Sequence, residues 1–264
     1  MKYPIIILSK ERPLQLRDMV CSIVERTDPD TYEIIICDND SRQPEMKEYL
    51  KSQEEKHTII YNPENNGFEG FNPGLKLVKT EFFILSDPDI VLNQKTPIDW
   101  ILRLVETMKI FMTPKIGLAL SIDLDVNIAF EKDVIEREQE YWGDTGSVEV
   151  ANLGAPCFAA PVDTTLAMYR RDTYDFWINR ELHFNHGDGI APAKIIHQNQ
   201  YNPKYYVPTL RVAGNYAATH TGWDTSDRYK NDFEYYKHHC DLDLASTVKW
   251  RITGKPTLPV KEVA

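Results

Sequence analysis

Apolar and polar positions alternate in short blocks along the first third of the chain. Tyr3 to Ser9 (YPIIILS) is an apolar, β-rich run. After Arg12-Pro13, apolar residues fall at Leu16, Met19, Val20, Ile23 and Val24, the spacing of an amphipathic helix. Tyr32 to Cys37 predicts a second buried strand, broken by Asp38-Asn39-Asp40-Ser41 and followed by a polar helix with Met46, Tyr49 and Leu50 on one side. His57 to Tyr61 reads as a third strand. A glycine- and asparagine-rich stretch from Asn65 to Gly74 leads to a helical stripe ending near Val78, and Phe82 to Leu85 is a fourth apolar run, too short for a helix.

Four strands alternating with helices predict an α/β fold with a mainly parallel, Rossmann-like sheet and right-handed crossovers. Every polar loop named so far follows a strand, so Ser9 to Arg12, Asp38 to Ser41 and Asp87 to Asp89 should meet at one rim, where open α/β sheets bind ligands. Farther on, Trp100, Ile101, Leu104, Val105 and Met108 mark a helix over 97–110, and Ile116 to Ser121 a strand. A helix is expected around 134–142, a strand over 165–170 and another over 205–212. A loop over 215–224 then precedes a helix from about 227 to 239. Residues 143–161 are rich in Gly, Pro and small side chains, and 183–208 read as polar, aromatic loop. There is no internal repeat and no linker, so the expectation is a single domain over 1–264. Residues to about 95 would form one half of that domain, and the remainder, with a C-terminal helix, the other.

The clearest chemistry is in Phe82 to Val91, FFILSDPDIV, where an apolar strand ends in two carboxylates separated by one proline. Carboxylates this close repel each other unless a cation lies beside them, and such hard oxygen ligands suit magnesium or manganese. Asp and Pro are also common turn residues, so the triplet alone is equally a solvated turn.

Composition narrows the partners. The chain has 264 residues, 42% of them hydrophobic, enough for a sizeable core. A formal net charge of -10 argues against nucleic acid, which needs clustered basic surface. Cys21, Cys37, Cys157 and Cys240 are scattered with no CxxC pair, as reduced structural thiols would be. No apolar run approaches the ~20 residues of a membrane span, and the first apolar run meets Lys10 too soon for a signal peptide. The expected location is the cytoplasm, with peripheral contact at the inner face of a membrane allowed.

Taken in order, PIIILSKERP, CDNDS, NNGFEGFNPG and ILSDPDI resemble a glycosyltransferase of the GT-A fold, of the family-two type that uses nucleotide-activated sugars. These motifs cover roughly the first 95 residues. The later segments APVDTTLAMYRR and RVAGNYAATHTGW resemble a subgroup of bacterial and large-virus sugar transferases.

The resemblance implies roles. Asp89 would hold Mn2+ or Mg2+, with Asp87 assisting through ribose or metal-bound water, so that the metal stabilises the nucleoside diphosphate leaving group. Asp38 would accept a hydrogen bond from the base. Ser9 and Arg12 would hold base or diphosphate, and Asn66, Gly67 and Asn72 would belong to a nucleotide-binding loop whose glycines let backbone amides approach phosphate or ribose. His220 matches, in outline, a C-terminal histidine that completes the metal site in several such enzymes; an exposed loop histidine is the plain alternative. Trp223 would stack on sugar or lie in the core. A single displacement at the anomeric centre needs a carboxylate base, for which Asp163 is the first candidate, with Asp188 and the pair Asp123 and Asp125 as rivals.

The function so implied is transfer of a sugar, in cell-surface or capsid glycan synthesis, from a nucleoside-diphosphate donor to a saccharide or glycolipid hydroxyl with inversion. A UDP-sugar is the favoured donor, and the aromatic stretch Tyr201 to Tyr206 would help form the acceptor side. Two other readings stay open. A sugar nucleotidyltransferase would want a glycine-rich basic loop after the first strand, where this chain has SKERP. A non-catalytic nucleotide- or saccharide-binding module would not need the acidic pair, Asp38 and His220 together.

Overall fold

The computed structural model describes residues 1–122, 135–136, 138–139, 148–159, 162, 164–172, 209–224 and 227–239. The first half follows the predicted alternation: β1 (Tyr3–Ser9), α1 (Pro13–Arg26), β2 (Tyr32–Asp38), α2 (Pro44–Gln53) and β3 (Thr58–Tyr61). A 3₁₀ turn (Gly67–Phe71) and a short α3 (Asn72–Leu75) then lead to β4 (Phe82–Ser86). The helical stripe expected to reach Val78 is thus only four residues of α-helix. Pro73 sits in its first turn, where a missing amide costs nothing.

Strands β1 to β4 are parallel in the order β3-β2-β1-β4. Alternate residues of each strand enter opposite layers. Ile5, Ile7, Ile34, Ile36 and Ile84 face Leu16, Met19, Ile23, Met46 and Leu50 of α1 and α2. Ile6, Ile35, Cys37, Phe83 and Leu85 face Phe71 and Val78. Burial on both faces explains why these strands read as continuous apolar runs without polar alternation. Val24 is the exception in the α1 pattern, being 51% exposed.

The second half is more mixed than the expected parallel sheet. It contains β5 (Ile90–Val91), α4 (Trp100–Phe111), β6 (Lys115–Leu118), β7 (Val148–Val150), β8 (Ala155–Ala159), β9 (Ala167–Arg170), β10 (Leu210–Val212), β11 (Thr219–His220) and α5 (Lys230–His239). The nine-stranded sheet continues β4-β9-β6-β10-β8-β7. Strand β9 runs antiparallel between β4 and β6, and β8 runs antiparallel to both β10 and β7. The small-residue region over 143–161, for which no strand was expected, therefore contributes two strands, the outer of which, β7, is the edge of the sheet. Of the helix expected over 134–142, positions 135, 136, 138 and 139 are helical; the loop expected over 183–208 lies outside the described residues.

Glu138 ties that helical segment to the sheet. Its carboxylate pairs with Arg211 of β10 and accepts the Leu120 amide at 3.1 Å, with both charged side chains nearly fully buried. A two-stranded antiparallel ribbon, β5 with β11, stands apart from the main sheet. Among the described residues no helix is long and apolar enough to cross a membrane.

Candidate active site

Parallel pairing puts the ends of β1, β2 and β4 side by side: Ser9 is in register with Asp38, and Ile7 with Ser86. The three predicted loops therefore do converge on one rim. Ser9 Oγ and Asp38 Oδ1 are both buried there without a hydrogen-bond partner. Asp38 Oδ2 accepts the Ser41 amide at 3.1 Å. Burial pushes the Asp38 carboxyl above its ordinary value, an effect that the bonds from Ser41 only partly offset. A buried acceptor oxygen left open is costly, and an N–H donor from a ligand would satisfy it.

Loop 10–12 and loop 38–43 are laced together. Lys10 Nζ donates to the carbonyls of Asn39 and Asp40, the Glu11 amide donates to Ser41 Oγ, and the Glu11 carboxylate accepts the amides of Arg42 and Gln43 at the start of α2. Glu11 and Arg12 both take left-handed backbone angles, φ 52° and 61°. For residues with a Cβ each costs on the order of 1–2 kcal/mol. That turn aims Glu11 at α2 and Arg12 across the rim, where Arg12 Nη1 donates to Asp89 Oδ2 at 2.9 Å.

The Asn-rich loop is built around Asn39. Its Nδ2 donates to Asn65 Oδ1 and the Gly67 carbonyl, while its Oδ1 accepts from Asn62 Nδ2 and the Asn66 amide. The Gly67 amide donates to Asn65 Oδ1. These two amides, expected to face phosphate, are thus engaged inside the loop. Gly70 serves packing, since a Cβ there would lie 2.6 Å from Asn39 Oδ1 and 2.7 Å from Leu8 Cδ1. Asn66 and Asn72 are exposed at the start of the 3₁₀ turn and of α3.

Asp89 lies at the foot of the β5–β11 ribbon. His220 pairs with Ile90, and Thr221 donates both its amide and its hydroxyl to the Asp89 carbonyl, at 2.7 and 3.1 Å. His220 Nδ1 comes 3.8 Å from Asp89 Oδ2, and both side chains are buried. The His220 ring stacks on Trp223, centroids 4.5 Å apart, so that tryptophan braces the imidazole. Residue 222 must be glycine for the two groups to approach: a Cβ there would sit 2.3 Å from Asp89 Oδ2 and 2.7 Å from His220 Cε1.

The three expected metal groups are not gathered equally. Among the described residues no cluster of three His, Cys, Asp or Glu side chains is of metal-holding form. Asp87 instead accepts a hydrogen bond from Thr164 Oγ1 at 2.6 Å, and its amide donates to the Thr164 carbonyl at 2.9 Å. Asp163, like its rivals Asp123, Asp125 and Asp188 and the aromatic stretch 201–206, lies outside the described residues. Its neighbours are firmly placed: the Val162 carbonyl accepts from the fully buried Lys115 Nζ, and Leu166 donates its amide to Ser86 Oγ at 3.1 Å. A buried carboxylate and an imidazole brought close together beside the bare backbone of Gly222 fit a divalent cation, whose other ligands would come from phosphate oxygens and water.

Sequence reasoning missed the Arg12–Asp89 pair, the Thr164–Asp87 bond, and Lys115. The first two join residues 77 positions apart, which no local pattern reveals. A buried lysine in an apolar strand is visible only as an irregularity in KIGL.

Residues 5–111 match the model of the family described as Glycosyl transferase family 2. No curated protein sequence matches the chain. Among solved structures, S. aureus TarS is 10% identical with a TM-score of 0.52 over 95% of this chain, which spans only 42% of that longer protein. S. aureus TarS 1-349 in complex with UDP is 11% identical with a TM-score of 0.54, covering 94% of this chain and 75% of its own. The mannosyltransferase PcManGT from Pyrobaculum calidifontis, in complex with GDP-Man and Mn2+, is 11% identical with a TM-score of 0.55, covering 95% and 79%. The architecture is the GT-A glycosyltransferase fold.

Proposed function

We propose that the chain transfers a sugar from a nucleoside-diphosphate donor, a UDP-sugar in the first instance, to a hydroxyl of a saccharide or glycolipid acceptor. The observation that carries this reading is the buried approach of Asp89 and His220, 3.8 Å apart, at the rim where Ser9 and Asp38 leave buried oxygens unpaired. Asp38 accepts an N–H of the base, and Ser9 Oγ lies beside it to bond the nucleoside. Asp87, fixed by Thr164, bonds the ribose. Asp89 and His220 hold Mn2+ or Mg2+. When bound, that cation neutralises the charge that grows on the departing diphosphate. Asn66, Gly67 and Asn72 border the nucleotide from the 62–72 loop.

On the acceptor side, Asp163 takes the proton of the attacking hydroxyl. The flanking bonds from Lys115 to Val162 and from Thr164 to Asp87 tie that segment to the donor side. One-step displacement then inverts the anomeric centre.

A thermal-shift screen of UDP, GDP and dTDP, each with and without Mn2+, tests the donor half, because a ligand that binds only the folded state raises its stability. The expected result is a shift with UDP that Mn2+ enlarges, and loss of the Mn2+ contribution in Asp89→Ala. No shift with any nucleotide would overturn the reading. Asp163→Asn should keep the nucleotide shift and abolish transfer; near-normal turnover would remove Asp163 from the role of base.

A further inference from the structure

Arg12 presents an arrangement that nucleotide binding alone does not require. Its guanidinium sits on Asp89 Oδ2 at 2.9 Å, the same oxygen that His220 Nδ1 approaches at 3.8 Å and that packs against the bare backbone of Gly222. The seat of this cation is built from two ends of the chain. The left-handed turn at Glu11 and Arg12 projects it across the rim, and the Tyr236 ring of α5 lies beneath it at 4.7 Å. Asp232, one turn before Tyr236, accepts the amides of Leu14 and Gln15 and so pins α5 to the start of α1. Arg12 Nε is buried without a partner, so the bond to Asp89 leaves donors of the fork unused.

We propose that Arg12 is a resident cation that holds Asp89 while the donor is absent, yields that oxygen to the divalent metal, and turns its fork onto the donor's diphosphate, so that metal and nucleotide bind with positive coupling. This rests on the reading that Asp89 and His220 hold a metal. Metal and guanidinium compete for one oxygen, and two cations on one buried carboxylate repel each other. A diphosphate supplies the missing negative charge, and a guanidinium matches phosphate oxygens in bidentate fashion. The coupling is reciprocal: whatever factor the nucleotide adds to metal affinity, the metal adds to nucleotide affinity.

The test is Mn2+ binding to the whole chain, read from the free-ion signal by electron paramagnetic resonance, with and without saturating UDP. In the wild type, Mn2+ alone binds weakly and UDP tightens it about tenfold or more. In Arg12→Gln, Mn2+ alone binds about tenfold more tightly than in the wild type, the gain from UDP shrinks, and UDP without metal binds more weakly. Arg12→Lys restores much of the coupling. Because Arg12→Gln also removes the contact with Tyr236 of α5, Tyr236→Leu serves as a second variant, since it unbraces the guanidinium and leaves Arg12 and Asp89 in the sequence. There Mn2+ alone should bind a few-fold more tightly. Mn2+ affinity unchanged from wild type in both Arg12→Gln and Tyr236→Leu would overturn the proposal with the metal reading intact. No Mn2+ binding in any arm would overturn both.

Discussion

Asp38 is a carboxylate set where water is scarce, and its energetics set folding against binding. Its pKa is raised by burial, so the folded chain binds that proton more tightly than the unfolded chain, whose value is near 3.8. The stabilising effect of the proton is complete below that value and is lost as pH rises through the higher folded one. At neutral pH the ionised group is therefore a standing cost, kept because Oδ1 awaits a donor. Asp38→Asn keeps an acceptor for the Ser41 amide and removes the charge. The variant should melt at or above the wild-type temperature at pH 7, lose that advantage as pH falls toward 4, and bind UDP at least tenfold more weakly, as calorimetry would show. A variant both less stable at pH 7 and unimpaired in UDP binding would contradict this account.

At the scale of elements, the second half of the sheet depends on long-range polar ties that the first half does not need. Glu138 and Arg211 form a buried pair beneath the Leu120 amide. Removing one partner of such a buried pair typically costs 3–5 kcal/mol. Glu138→Ala should lower the urea midpoint accordingly, and Arg211→Met combined with Glu138→Leu should recover much of the loss. The same contrast explains what was legible. Strands β1, β2 and β4 and helices α1, α2 and α4 announce themselves because each buries a continuous run or a regular stripe, Ile5-Ile6-Ile7 and Trp100, Ile101, Leu104 being plain examples. Strand β8 (APCFA) was hidden because Pro and Ala give no alternation, β7 (VEV) because three residues are too few to establish one, and β5 and β11 because two residues carry no period. At the site, Asp38, Asp87 and Asp89 were readable as strand-end carboxylates. The convergence of His220 on Asp89 was expected only from the family resemblance, since it is made by backbone pairing across the chain. Nor was the inward use of the Asn66 and Gly67 amides, which depends on where Asn39 and Asn65 point.

Across the whole molecule, the C-terminal helix is wired to the first helix rather than merely packed on it. No side chain of its own caps α1, and Asp232 does so from α5 through the Leu14 and Gln15 amides at 2.7 and 3.3 Å. Arg228 and Tyr229 OH both donate to Asp18 one turn further along. Asp232→Ala should cost about 1–2 kcal/mol, as loss of a helix cap does, seen as a fall of several degrees in melting temperature; an unchanged melt would show that α5 is held by other means. The β5–β11 ribbon carries a consequence for how the molecule assembles. Thr221 reaches the Asp89 carbonyl across 132 residues of chain, whereas β1, β2 and β4 meet within the first 86 residues. Local pairings close sooner than distant ones, so during refolding the rim at the ends of β1, β2 and β4 should form before Asp89 and His220 approach. On the proposed reading, the chain would for an interval lodge a base before it could hold a divalent ion.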